Sequence, residues 1–434
     1  MKRRLLLFGV FPVTACATAP TPMAPPPPPP TAMVPPAPTP AGPPSPELSP
    51  APASAQPPGA GAFDRWIYAF RSRALAAGIS PAALDRELAG LTPDPAVARL
   101  DAAQPEFSRP VSAYVKDAVT PAAVAEGARR LAELPWATEV EARYGVPAPV
   151  LAAIWGRETG YGRILGTSDV VRAIATRTAN GKDRFEADLI AALRLLDSGE
   201  VARGEFRGSW AGAWGQTQFM PTNVLQYAVD ADGNGRRDLR ASTRDALTST
   251  AAFLQAKGWK PGLDWTREVV LPPRFDFGLA EEETQPLNWW AAQGVRRADG
   301  RPWSVSGGPE ARARLLLPAG AGGPAFLAFD NYDVILTYNR SMAYALAVGL
   351  LADGVAGRGG LVRAWPEEAQ MARADVVAAQ ATLKTLGFDP GAVDGQTGAD
   401  TRRAVRAWQR ARGLPADGYL SPDVVARLKR DGGS

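Results

Sequence analysis

Histidine is absent from this 434-residue chain, and cysteine occurs once, at Cys16. Without imidazole there is no Ser-His-Asp triad, no Cys-His dyad and no histidine-ligated zinc. A single thiol forms neither an internal disulfide nor a thiolate metal cluster. Charge of one sign is also scarce: 48 Lys and Arg against 44 Asp and Glu leave +4, which calls for no nucleic-acid partner. Catalysis must therefore rest on Asp, Glu, Lys, Tyr or Ser. The length suggests two or three domains with ample buried core.

The first apolar run, Leu5 to Phe11 behind Met1-Lys2-Arg3-Arg4, is too short for a membrane span and reads as a secretory signal. The cysteine follows in Val13-Thr14-Ala15-Cys16, which resembles the bacterial lipobox. That resemblance implies lipid on Cys16, and Ala17 in place of Asp implies the outer membrane. The alternative is an incidental cysteine within the signal. Residues 17–61 hold 19 of the 42 prolines, six of them in a row from Pro25 to Pro30. Such a segment builds no packed core and favours extended polyproline II; at ~3.1 Å per residue it reaches on the order of 100 Å.

From Phe63 the composition becomes globular and helical patterns dominate to about Asp353, as in Phe63 to Ala77 and Asp183 to Leu196. Residues 260–330 differ: Pro, Gly and Trp are frequent, and Arg314–Leu317 and Ala325–Phe329 read as strands. A glycine-rich stretch around Gly354–Gly360 marks a boundary before a small C-terminal module. The expected architecture is mainly α: a signal at 1–16, a proline-rich linker at 17–61, a catalytic domain at 62–355 and a module at 373–431.

The segment Val150-Leu-Ala-Ala-Ile-Trp-Gly-Arg-Glu158-Thr-Gly-Tyr-Gly162 stands out. Pro147 and Pro149 start a helix, and Gly160 and Gly162 end it. Leu151, Ile154, Trp155 and Glu158 fall on one face. A carboxyl group at the end of a buried stripe is desolvated, which raises its pKa and suits a general acid. The competing reading is a structural glutamate ion-paired with Arg157 or Arg163.

The Glu158-Thr-x-x-Gly pattern resembles the catalytic helix of the membrane-bound lytic transglycosylase B family. Two further blocks resemble the same family in the same order: Gly208-Ser-Trp-Ala-Gly-Ala-Trp-Gly-Gln-Thr-Gln-Phe-Met-Pro221 and Thr337-Tyr-Asn-Arg-Ser-x-x-Tyr344. The resemblance spans about 63–353. It implies a lysozyme-like helical catalytic domain with a small β-containing insertion, Glu158 as the catalytic acid/base, and Ser209, Gln218, Tyr338, Asn339 and Tyr344 along the substrate cleft. Packing glycines account for the 208–221 block on the alternative reading. Gln216 departs mildly from the family pattern. The implied reaction severs the bond between N-acetylmuramic acid and N-acetylglucosamine in peptidoglycan, closes a 1,6-anhydro ring and needs no cofactor.

Asp230-Ala-Asp232-Gly-Asn234-Gly-Arg236-Arg-Asp238 carries oxygen donors at alternate positions and Gly at the sixth, the front half of an EF-hand loop. Ala241 stands where the usual twelfth-position Glu belongs. The family's variant loop places its last acid further on, where Asp245 lies. A structural Ca2+ held by Asp230, Asp232, Asn234, Asp245 and the Arg236 carbonyl is expected; an acidic turn is the alternative.

Residues 373–429 resemble the three-helix peptidoglycan-binding domain: Gln380-x-x-Leu383-x-x-Leu-Gly387, Val-Asp394-Gly395, Thr401-x-x-Ala404-Val405-x-x-Trp408-Gln409 and Asp417-Gly418. Its implied role is affinity for the glycan strands of the wall. Two rival functions stay open. A hydrolytic muramidase requires a second carboxylate opposite Glu158, for which Asp169 and Asp183 are candidates. A non-catalytic wall-binding lipoprotein requires only the anchor and the module.

Overall fold

The computed structural model describes residues 61–101, 109–281 and 283–433. Cys16 and the proline-rich segment up to residue 60 lie outside them. The fold is mainly α, as expected. The predicted first helix runs Ala62–Ala76, and the 183–196 pattern resolves into a short 3-10 turn, Asp183–Phe185, followed by the helix Glu186–Asp197. Among the described residues no helix is long and apolar enough to cross a membrane.

The predicted strands form the centre of a five-stranded antiparallel sheet. We number the strands in chain order: β1 (Ser168–Asp169), β2 (Arg207–Gly208), β3 (Thr266–Val270), β4 (Gln285–Pro286), β5 (Arg296–Arg297), β6 (Arg312–Leu316) and β7 (Ala325–Phe329). The order across the sheet is β4-β6-β7-β3-β5, while β1 and β2 pair separately. Every residue of β7 is buried. Side chains alternate across a strand, and here each face meets a different core. Phe326 and Ala328 join the helical core, whereas Ala325, Leu327 and Phe329 join the core of the insertion with Leu287, Trp290 and Leu315.

The helical core is organised around two helices, Ala148–Thr159 and Met342–Val355. Both are rich in alanine and glycine, which lets their backbones approach. Burial on Ala148–Thr159 is wider than the predicted stripe: Ala152 and Ala153 are buried along with Leu151, Ile154 and Trp155. The C-terminal module has three helices, Arg373–Thr385, Ala399–Ala411 and Pro422–Asp431, closed over Leu383, Val405, Trp408 and Leu428. Two glutamines repeat one device within it. Gln380 accepts from the Gly395 N–H, and Gln409 accepts from the Gly418 N–H, each at 2.8 Å, so that each fixes an Asp-Gly turn.

Candidate active site

Pro147 caps the acid's helix, Pro149 sits in its first turn, and Gly160 ends it in the left-handed conformation at φ +58. Glu158 lies half-buried in the last turn. The Tyr344 hydroxyl donates to its Oε1 at 2.5 Å across 186 residues of chain. Burial first, and the Glu158 carboxylate second, push the Tyr344 phenol well above its ordinary value. Tyr344 therefore keeps its proton and stays a donor. A neutral donor stabilises the carboxylate without holding it permanently ionised, as a cation would. The two predicted ion-pair partners are engaged elsewhere: Arg157 donates to the Tyr114 hydroxyl at 3.0 Å and stacks over that ring, and Arg163 lies 3.9 Å from Glu126.

The residues after Glu158 anchor the helix end. The Thr159 hydroxyl donates to the Gln216 carbonyl at 2.6 Å and accepts from the Gly162 N–H at 3.0 Å. Tyr161 stands edge-on to Trp155 and donates to the Ala123 carbonyl at 3.0 Å. A Cβ on either Gly127 or Gly156 would lie 2.6 Å from the Tyr161 ring or hydroxyl, so both positions require glycine. Burial pushes this phenol up to about 12. Sequence reasoning assigned no role to Thr159 or Tyr161, although both lie inside the recognised block. Tyr114 carried no signal at all.

The 208–221 block is a compact folded loop. The Ser209 hydroxyl accepts from the Ala213 N–H at 3.1 Å, closing the turn that presents Trp210. The buried Arg177 guanidinium lies 3.7 Å from the Phe185 ring centre, 5.4 Å from that of Trp210, and donates to the Ala211 carbonyl. Gln218 takes a left-handed φ of +52 and its amide donates to the Gly215 carbonyl at 2.8 Å. The buried Gln216, the departure noted in the sequence, donates to the Arg240 carbonyl and accepts from the Thr243 hydroxyl, both at 3.2 Å. It ties the block to the segment behind it. The Tyr338 hydroxyl donates to the Thr217 carbonyl at 2.9 Å, and its phenol is raised by burial and by Glu158. Asn339, half-buried, has no side-chain hydrogen bond among the described residues.

The two carboxylates considered as a second catalytic group have other settings. Asp169 caps the helix Val170–Ala179 and pairs with Arg203 at 2.9 Å and Arg207 at 3.4 Å. Asp183 is exposed.

In the acidic loop, Asp230, Asp232 and Asp245 bring one oxygen each within 4.8 Å of one another. Asp245 is fully buried and accepts from the Ala231 and Asp238 N–H groups; Asp230 accepts from those of Gly233 and Gly235. Asn234 accepts from the Arg236 N–H, and the Arg236 guanidinium reaches 3.8 Å toward Glu205. An all-oxygen set of three converging carboxylates fits a hard divalent cation of the calcium type.

The module does not hang free. Glu281, half-buried at the edge of the insertion, pairs with Arg402 at 2.6 Å and Arg406 at 3.1 Å on the module helix Ala399–Ala411. Burial opposes the charge, yet the two guanidinium groups hold this carboxyl below the usual range. Arg410 adds a bond to the Gly278 carbonyl at 3.0 Å.

Residues 62–353 match the transglycosylase SLT domain, and residues 372–428 match a peptidoglycan-binding domain. The chain is 32% identical over 218 residues to the membrane-bound lytic murein transglycosylase B of Escherichia coli K12, covering 49% of this chain and 58% of that relative's length. It is similar to the crystal structure of SltB3 from Pseudomonas aeruginosa in complex with NAG-anhNAM-pentapeptide. That likeness has 49% identity and a TM-score of 0.79, and covers 85% of this chain and 99% of SltB3. It is also similar to the Escherichia coli lytic transglycosylase Slt35 in complex with calcium, at 27% identity and a TM-score of 0.58 over 69% of this chain and 94% of Slt35.

Proposed function

Because the chain belongs to the transglycosylase SLT domain family, we propose that it is a lytic transglycosylase that cuts peptidoglycan glycan strands with Glu158 as acid and then base. The observation that carries this reading is the bond from the Tyr344 phenol to Glu158. Protonated Glu158 gives its proton to the glycosidic oxygen between N-acetylmuramic acid and N-acetylglucosamine. The C1–O bond breaks, the N-acetylglucosamine end leaves as the alcohol, and the substrate's own N-acetyl group stabilises the cationic carbon. Tyr344 stabilises the carboxylate left behind. Glu158 then removes the proton of the muramyl 6-hydroxyl, whose oxygen attacks C1 and closes the 1,6-anhydro ring. No water enters, so the step is a lyase reaction. Ser209 and Gln218 support the loop that forms one wall of the cleft, Tyr338 braces it, and Asn339 orients the N-acetyl group.

Asp230, Asp232, Asn234, Asp245 and the Arg236 carbonyl hold a structural calcium ion, away from the chemistry. The relatives named above, one membrane-bound and one holding a peptide-bearing disaccharide, support a wall substrate carrying stem peptides. Lipid on Cys16 fastens the enzyme to the outer membrane with its catalytic domain in the periplasm. Purified full-length protein incubated with murein sacculi should release 1,6-anhydromuropeptides, lighter by one water than hydrolysis products. Reducing muramyl ends as the main product would make it a hydrolase instead.

A further inference from the structure

A cavity of about 490 Å³ lies where the helical domain, the insertion and the C-terminal module meet. Four helices start in its wall: Val111–Ala118, Met342–Val355, Arg373–Thr385 and Ala399–Ala411. Three of them, behind Pro110, Ala372 and Gly398, have no side-chain cap. Their first N–H groups and the positive ends of their dipoles favour an anion. Tyr332 also lines the cavity; the residue is fully buried, and its hydroxyl has no hydrogen-bond partner among the described residues. A buried polar group left unpaired costs free energy, so it marks a missing ligand atom or water.

Charge points the same way. Arg109, Arg314, Arg340, Arg373 and Arg402 face the cavity against one carboxylate, Glu281. Arg109 pairs with Asp117, Arg314 with Asp333, Arg402 with Glu281, and Arg373 donates to the Asp394 carbonyl. Arg340 has no such partner among the described residues and is exposed. Leu336, Met342 and Met371 supply apolar wall between these polar groups. The volume falls in the range of roughly 300–1,000 Å³ usual for small-ligand sites.

The cavity is joined to the acid by the chain itself. Ser341, Met342 and Ala343 line it, and the next residue, Tyr344, bonds Glu158. Arg340 follows directly on Tyr338 and Asn339. We propose that this junction cavity binds the carboxylate-bearing stem peptide of the wall polymer, received by Arg340, the Tyr332 hydroxyl and the open helix N-termini, so that docking of the module completes a second substrate subsite. This rests on the reading of the chain as a peptidoglycan-cleaving enzyme. The expected consequence is a preference for peptide-bearing over peptide-free glycan.

Calorimetry on the full-length protein with free stem pentapeptide, and with the same peptide carrying amidated carboxyls, tests the assignment without depending on cleavage. Wild type should bind the acid form and lose most affinity for the amide. Arg340→Gln should weaken binding roughly tenfold, the scale of one charge-assisted hydrogen bond, and Tyr332→Phe by roughly threefold to tenfold. Both variants should melt like wild type, because neither removes a paired buried group. On peptide-bearing glycan they should raise KM with kcat unchanged, and on peptide-free glycan change neither. Equal binding of acid and amide, competition by acetate as strong as by the peptide, or unaltered peptide affinity in both variants would each overturn the proposal. Loss of peptide binding in the variants of a protein that cuts no glycan would uphold this site and defeat the proposed activity.

Discussion

Two half-buried glutamates, Glu158 and Glu281, show how the same residue type is put to opposite uses. Glu158 receives a neutral phenol from Tyr344. Glu281 receives two guanidinium groups, from Arg402 and Arg406. A carboxyl that must give and retake a proton needs neighbours that tolerate both of its states. A carboxyl that must hold two domains together needs neighbours that tolerate only one. The partner's charge, more than burial, separates the glutamate proposed as the acid from the structural one.

The comparison breaks most visibly at Glu158. Glu158→Gln keeps the volume and still accepts from Tyr344, so melting should be near wild type. Glycan cleavage should fall by about 10²–10⁴-fold or more, since in the proposed mechanism one residue makes both proton transfers and no histidine replaces it. Substantial residual turnover of sacculi would place the acid elsewhere.

Glu281→Ala should do the reverse, with large loss of stability and little loss of chemistry. Removing one side of a buried ion pair costs about 3–5 kcal/mol because the two buried guanidinium groups lose their carboxylate. The readout is faster proteolysis in the connecting stretch 356–372 and an earlier melt. A native Glu281 carboxyl held low contributes stability that is full above the unfolded value near ~4.3 and is lost as pH falls through the native one. Acid melts of wild type should therefore drop below that range, and those of Glu281→Gln should drop less. Parallel curves would show that the pair does not govern docking.

The acidic loop offers a third kind of carboxylate setting, in which Asp230, Asp232 and Asp245 converge on one another. Calcium at a hundredfold excess over Kd should raise stability by about 2.7 kcal/mol. Asp245→Asn should abolish that gain, as read from melts with calcium and with chelator. Superimposed wild-type melts would leave the loop an ordinary turn.

The smallest expected effect sharpens the comparison most. Tyr344→Phe removes a donor to the ionised acid, so roughly tenfold in rate should be lost and Glu158 should titrate higher. The alkaline limb of the pH–rate profile should then move up. An unmoved limb would mean that the phenol only packs.

Much of this was legible in the sequence, for reasons that differ by residue. Pro147, Pro149 and Gly160 bracket the acid's helix because their backbone preferences are local. The short apolar run 325–329 marked a strand, but not that its two faces enter two cores. Tyr344 was reached by resemblance alone, since nothing local ties it to an acid 186 residues away. Glu281 was not legible at all: it opens a run of three glutamates that reads as a solvated turn. Arg402 and Arg406 likewise read as the wet side of an amphipathic helix. Burial by another domain leaves no periodic mark on either partner.

The span from Glu158 to Tyr344 also sets an order in time. Chains are made from the N-terminus, so the acid's helix exists well before its phenol has been synthesised. Contacts of such sequence separation form late and slowly. Until the chain beyond residue 344 has emerged and packed, the half-made protein carries Glu158 without the Tyr344 phenol, and in the proposed mechanism the ability to cut glycan arrives only with a nearly finished catalytic domain.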